Sequence, residues 1–250
     1  MKKYMLALGL SLLTVLGLFT GCSPKAETAS GSDSLKIVAT IFPEYDWVRQ
    51  VLGDRAGEVQ LTLLLDSGTD LHSYQPTAAD MLTIGECDLF LYNGGESDAW
   101  VERVLATAAN SDRRTLSVME VLGDSVLEEE VVEGMQEAED HDHAEGEAHE
   151  EEADEHVWLS LRNARTACAE IARVLGELDP DHAAEYQANA ENYMAELEAL
   201  DGEYTALAEN AARRTVLVGD RFPFRYLMDD YGLEYYAAFS GCSAETEASF

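Results

Sequence analysis

Positive charge is what this 250-residue chain has least of: 16 Lys and Arg stand against 49 Asp and Glu, for a formal net charge of -33. Such a surface repels phosphate backbones, which excludes nucleic acid as a partner, and it tolerates cations. Cysteine is sparse as well. Beyond Cys22 there are Cys87, Cys168 and Cys242, which allow one disulfide in any of three pairings with one thiol left over. Cys87 and Cys168 sit in apolar helical patterns and read as small buried hydrophobes rather than redox groups. The sequence contains no His-Glu-x-x-His, no Gly-x-Ser-x-Gly and no Cys/His nucleophile pair. A zinc-dependent hydrolase is therefore the weakest reading, and the chain is expected not to be an enzyme.

Long apolar runs are missing too, with one exception at the start. Met5 to Phe19 is almost unbroken, but it is too short for a stable membrane span and follows the basic Lys2 and Lys3, as the h-region of a secretory signal does. It ends in Leu18-Phe19-Thr20-Gly21-Cys22, which resembles the bacterial lipobox, with Phe19 the unusual member. That resemblance implies cleavage before Cys22, a lipid on its thiol, and an extracytoplasmic protein anchored to the bacterial membrane. Residues 1–22 are thus expected to be the signal and 23–34, rich in Ser, Ala, Gly and Thr, a flexible tether.

The remainder alternates strand-like and helix-like runs. Strands are expected at Lys36–Ile41, Val59–Leu65, Asp88–Tyr92 and Arg114–Val118, with helices at Tyr45–Leu52, Pro76–Ile84 and Ala99–Ala109. The strands look apolar on both faces, which argues for a parallel sheet covered by helices. Residues 35–127 form this first α/β lobe, and 156–180, with a helix over Ala164–Leu178, complete it. Residues 128–155 are acidic and contain histidine, with almost no apolar side chain after Met135, and read as a solvated loop. Residues 181–210 form a long helical pattern able to join two lobes. A strand at Thr215–Val218, a helix at Phe224–Tyr231 and a strand at Glu234–Phe239 begin a second α/β lobe over 211–250, expected to be incomplete at Phe250.

Three of the six histidines, His141, His143 and His149, fall in the acidic stretch beside carboxylates. That mixture suits weak, pH-dependent capture of zinc or a neighbouring metal. His72 lies in Gly68-Thr-Asp-Leu-His-Ser-Tyr-Gln-Pro76, and His156 in Asp154-Glu-His-Val-Trp-Leu159. Both precede a helix, where open α/β sheets place their ligands.

These two segments resemble the Gly-x-Asp-Pro-His-x-Tyr-x-Pro and Pro-His-x-Trp-Leu motifs of the zinc and manganese ABC-transporter solute-binding family. The lipobox, the His-rich stretch, the long helix and Tyr231-Gly-Leu233 follow in that family's order. The resemblance implies two α/β lobes joined by a rigid helix and one metal in the cleft between them. His72 and His156 would be ligands from the first lobe. The family's third ligand falls by a gapless count on Arg221, which cannot ligate a cation, so the neighbouring Asp220 is expected to serve; the fourth belongs beyond Phe250. Glu155 and Asp70 are candidates to orient the imidazoles. The resemblance further implies a monomer that delivers Zn2+ to a membrane permease. The alternatives are a Mn2+-binding homologue and a metal-stabilised surface adhesin.

Overall fold

The computed structural model describes residues 34–66, 68–106, 110–133, 135 and 153–241. The first lobe is built on β1 (Lys36–Ala39), β2 (Gln60–Leu63), β3 (Leu89–Tyr92) and β4 (Arg114–Ser117), all parallel in the order β2-β1-β3-β4. Helices α1 (Phe42–Leu52), α2 (Ala78–Glu86) and α3 (Val101–Leu105) connect the strands. Alternate side chains of the strands enter different cores, as the two-residue period requires. Ile37, Ala39, Leu89 and Leu91 pack with α1 and two later helices, while Val38 and Phe90 pack with Ile84, Val101 and Val104. Burial on both faces explains the continuous apolar strands.

Local sequence chemistry sets the helix ends. Thr77 caps α2, accepting from Asp80 N while the Asp80 carboxylate returns to Thr77 N at 2.8 Å. Helix α1 begins at Phe42 rather than at Tyr45, because Pro43 fits a first helical turn and Glu44 folds back to accept from the amides of Thr40 and Ile41 just before the helix. Gly53 ends it with φ of 57°, a conformation that favours glycine. After β4 come the short α4 (Val118–Leu122), then α5 (Leu161–Leu178) and α6 (Ala183–Glu209). The 27 residues of α6 extend about 40 Å. Its buried Tyr186, Ala190 and Leu197 face the first lobe, and Asp201 accepts from Tyr231 Oη of the second at 3.0 Å.

The second lobe holds β5 (Thr215–Phe222), α7 (Arg225–Tyr231) and β6 (Glu234–Ser240), with β5 and β6 parallel and their register broken between Val218 and Arg221. Phe222, Met228, Tyr235 and Ala237 form its core, joined by Val132 and Met135 from the start of the acidic stretch. The two ends of that stretch are therefore tied to the fold, although Glu128, Glu130, Val131 and Glu133 stay exposed. Glu128 bridges to Ala153, Asp154 N donates to Leu127 O at 2.9 Å, and Asp154 and Glu155 are buried. Cys87 and Cys168 are free and buried, as their apolar helical settings suggested, and burial pushes both thiols up to about 12, so both are inert at neutral pH. No helix among the described residues is long and apolar enough to cross a membrane.

Candidate metal centre

Beyond the carboxyl ends of β1 and β3, two Asp-x-His turns face each other. In the first, Asp70 opens a 3-10 turn over Leu71–Ser73, and its Oδ1 accepts from His72 N at 3.0 Å. In the second, Asp154 Oδ1 accepts from His156 N at 2.8 Å and lies 3.0 Å from His156 Nδ1. Both are Asx turns, which fix the backbone of the following histidine without regular secondary structure. His156 then enters a 3-10 turn over Val157–Leu159, which leads into α5.

Each ring has one nitrogen committed. A carboxylate only accepts, so the proton between Asp154 and His156 resides on Nδ1. His72 Nδ1 lies 2.9 Å from Ser97 Oγ and 3.3 Å from Glu155 Oε2. The Ser97 hydroxyl donates its one proton to Glu155 Oε2, so its oxygen accepts from His72 Nδ1–H. Glu155 also takes Ser97 N–H at 2.8 Å. Burial alone would raise the Glu155 carboxyl, but the hydrogen bonds from His72 and Ser97 outweigh it and hold it below the usual carboxylate range. Its backbone is held by Asn93 Nδ2, which donates to Glu155 O at 2.8 Å. Gly95, at φ of 80°, leaves the room the Glu155 carboxylate occupies, where a Cβ would collide with it.

With both Nδ1 atoms protonated, both Nε2 atoms carry bare lone pairs, and these point at each other across 3.3 Å. Two lone pairs at that distance repel unless a cation or a proton lies between them. Zn–N bonds of about 2.0–2.1 Å at a tetrahedral angle place two nitrogens roughly 3.3–3.4 Å apart. The pair thus has the spacing of two corners of a zinc tetrahedron. His156 is almost wholly buried and His72 mostly so, so neither ring needs to reorganise. The second lobe supports this arrangement. Tyr226 of α7 donates to Asp154 O at 2.8 Å and accepts from Leu127 N at 3.0 Å. Gly241, just past β6, lies so near the His156 ring that a Cβ there would be 2.9 Å from Cε1.

A cavity of about 700 Å³ opens over the pair, lined also by Trp158, Phe42, Phe224, Asp220 and Arg221. Behind His72, buried carboxylates continue inward from Glu155 to Asp98 and Glu44. Burial, then the charge of Glu155, pushes Asp98 up to about 6 even though Gly94 N–H donates to it. Burial, then the charge of Asp98, pushes Glu44 up to about 8.

A family model described as the periplasmic zinc-uptake complex component A, ZnuA, matches residues 37–250. The chain belongs to this family. It is 34% identical over 249 residues to the zinc-binding lipoprotein AdcA of Streptococcus pneumoniae, covering all of this chain and 46% of AdcA. It is 32% identical over 227 residues to the high-affinity zinc uptake system protein ZnuA of Bacillus subtilis, covering 91% of this chain and 67% of that protein. The crystal structure of the Zn(II)-bound ZnuA-like domain of Streptococcus pneumoniae AdcA matches with a TM-score of 0.65 at 29% identity, over 86% of this chain and 71% of that one. The chain therefore spans about half the length of the streptococcal relatives it matches.

In this ZnuA-family chain the residues expected at the metal are distributed as follows. His72 and His156 meet. Asp220 lines their cavity, with its Oδ1 accepting from Arg221 N at 2.7 Å. Among the described residues, no three His, Cys, Asp or Glu side chains converge into a cage. Glu155 holds His72 as anticipated, whereas Asp70 supports the His72 backbone and not its ring. Asp154, Ser97 and Gly241 escaped sequence reasoning. Asp154 had a signal available, since Asp70-Leu-His72 and Asp154-Glu-His156 share the same spacing. Cys22, His141, His143, His149 and Cys242 lie outside the described residues.

Proposed function

We propose that this chain is the extracytoplasmic zinc-binding component of an ABC metal importer. It is anchored by lipid at Cys22, takes Zn2+ between its two lobes and passes it to a membrane permease. The observation that carries this reading is the approach of the two Nε2 atoms to 3.3 Å, with each Nδ1 turned back onto a carboxylate. His72 and His156 are the first two ligands, and Asp220, already on the cavity wall, is the third. Because both imidazoles are in the ligating tautomer, zinc displaces water rather than protons from them, and little entropy is lost on ordering. His141, His143 and His149 take up metal weakly and raise its concentration near the cleft. The chain does no chemistry on its cargo; its membership of a solute-binding family favours this.

The test is zinc stoichiometry by calorimetry against a competing chelator, for the chain from Ser23 onward and for His72→Ala/His156→Ala. One tight site in the parent and none in the variant is expected. Tight binding that survives the double change would put the metal elsewhere and end this reading.

A further inference from the structure

The cavity over the histidine pair is lined by one basic side chain among the described residues, Arg221, which is unexpected beside a site for a dication. It is there by construction. The register break between Val218 and Arg221 interrupts β5, and such breaks re-aim side chains. Arg221 reaches across from the second lobe to the first, its Nη1 and Nη2 donating to Asp70 Oδ2 at 3.2 and 3.1 Å. The other oxygen of Asp70 is taken by His72 N–H. Both partners are substantially exposed, at 28% and 40% of their side-chain surface, so the ion pair adds little to folding. Its consequence is the field in the cavity. Asp70, Asp220 and Arg221 sum to a single negative charge facing the Nε2 pair; without the guanidinium the wall would carry two.

We propose that Arg221 sets the affinity of the metal centre, acting as a built-in counter-cation that neutralises Asp70 so that the captured ion is held loosely enough to be handed on. This rests on His72 and His156 being the zinc ligands. The rival role, a clamp between the lobes, makes the opposite prediction, since breaking a clamp weakens the site. Arg221→Gln separates the two: it removes the charge but keeps an N–H donor for Asp70. Arg221→Lys retains the charge and loses the planar fork.

Zinc affinity by chelator competition, and the rate of chelator-driven zinc release, are measured on both variants, on the parent and on His72→Ala/His156→Ala. R221Q should bind zinc roughly tenfold tighter and release it correspondingly more slowly, the scale of one unit charge at a partly exposed site. R221K should stay near the parent. If R221Q binds no tighter while the histidine variant loses the site, the inference about Arg221 is wrong and the ligand assignment stands. If both Arg221 variants bind more weakly, the residue is a clamp. If binding survives loss of both histidines, the ligand assignment and this inference fall together.

Discussion

Replacing Glu44 with Gln should stabilise the metal-free protein at neutral and alkaline pH and leave it unimproved in acid. Glu44 is buried, with only Oε2 satisfied: Thr40 Oγ1 donates to it at 2.8 Å, Thr40 N at 3.1 Å and Ile41 N at 3.3 Å. Oε1 is buried without a hydrogen-bond partner, and so is Oδ1 of the nearby Asp98. Burial first, and Asp98 second, push the Glu44 carboxyl from 4.5 up to about 8. The folded state therefore holds a proton that the unfolded chain releases above pH 4.5, so stability is full below that pH and is lost as pH rises through about 8. At about 1.4 kcal/mol per pH unit the loss is on the order of 3 kcal/mol at pH 7 and 5 kcal/mol when complete. Gln is neutral throughout and presents its carbonyl to the three donors and its amide to the empty side. At roughly 2–4 °C per kcal/mol for a domain of this size, the variant's Tm should exceed the parent's by about 6–12 °C at pH 7, with the difference vanishing near pH 4.5. Thermal unfolding with chelator present, scanned from pH 4.5 to 8.5, reads this directly. Subtracting parent from variant cancels the contributions of the carboxylates that do not interact with Glu44, leaving Glu44 and the part of the Asp98 titration coupled to it. A difference in Tm that did not change with pH, or that ran against the variant at high pH, would refute the reasoning.

Two further outcomes follow from the site. Asp154→Asn lets the amide NH2 face His156 Nδ1 and favours the tautomer with a proton on Nε2, so zinc affinity should drop by about 10–100-fold in the same competition assay with the fold retained. Gly241→Ala sets a methyl 2.9 Å from His156 Cε1 and 2.8 Å from Phe222 O; zinc binding should weaken by at least about tenfold while Tm, which mostly reports the first-lobe core, changes by only a few degrees.

Local order was legible wherever it is written in adjacent residues. Apolar runs mark all four first-lobe strands and both second-lobe strands, and the Thr77–Asp80 cap, Pro43 and Gly53 mark helix ends. Where an end was misjudged, as at Tyr45, the cause is a side chain that caps from inside the helix, since Glu44 bonds the amides that precede it. The two histidines could be singled out by motif, but their purpose depends on contacts that no window of sequence contains. Ser97 reaches Glu155 across 58 positions, His72 meets His156 across 84, and Arg221 reaches Asp70 across 151. Each of these is a close contact made by a side chain that is ordinary in its own neighbourhood.

Arg221 shows the limit most clearly. By its position it reads as a departure from a metal-binding pattern, a residue unable to ligate where a ligand belongs, and sequence reasoning moves one place back to Asp220. The fold keeps both residues on the cavity wall. What distinguishes them is a bond that neither position announces: Asp220 turns to the backbone of its neighbour, while Arg221 crosses to the carboxylate that supports His72. A solute-binding site needs release as much as capture, and a cation fixed beside the metal is one way to limit the depth of the well. On that view the departure at Arg221 tunes how firmly the site holds its ion, and it leaves the two-histidine core intact.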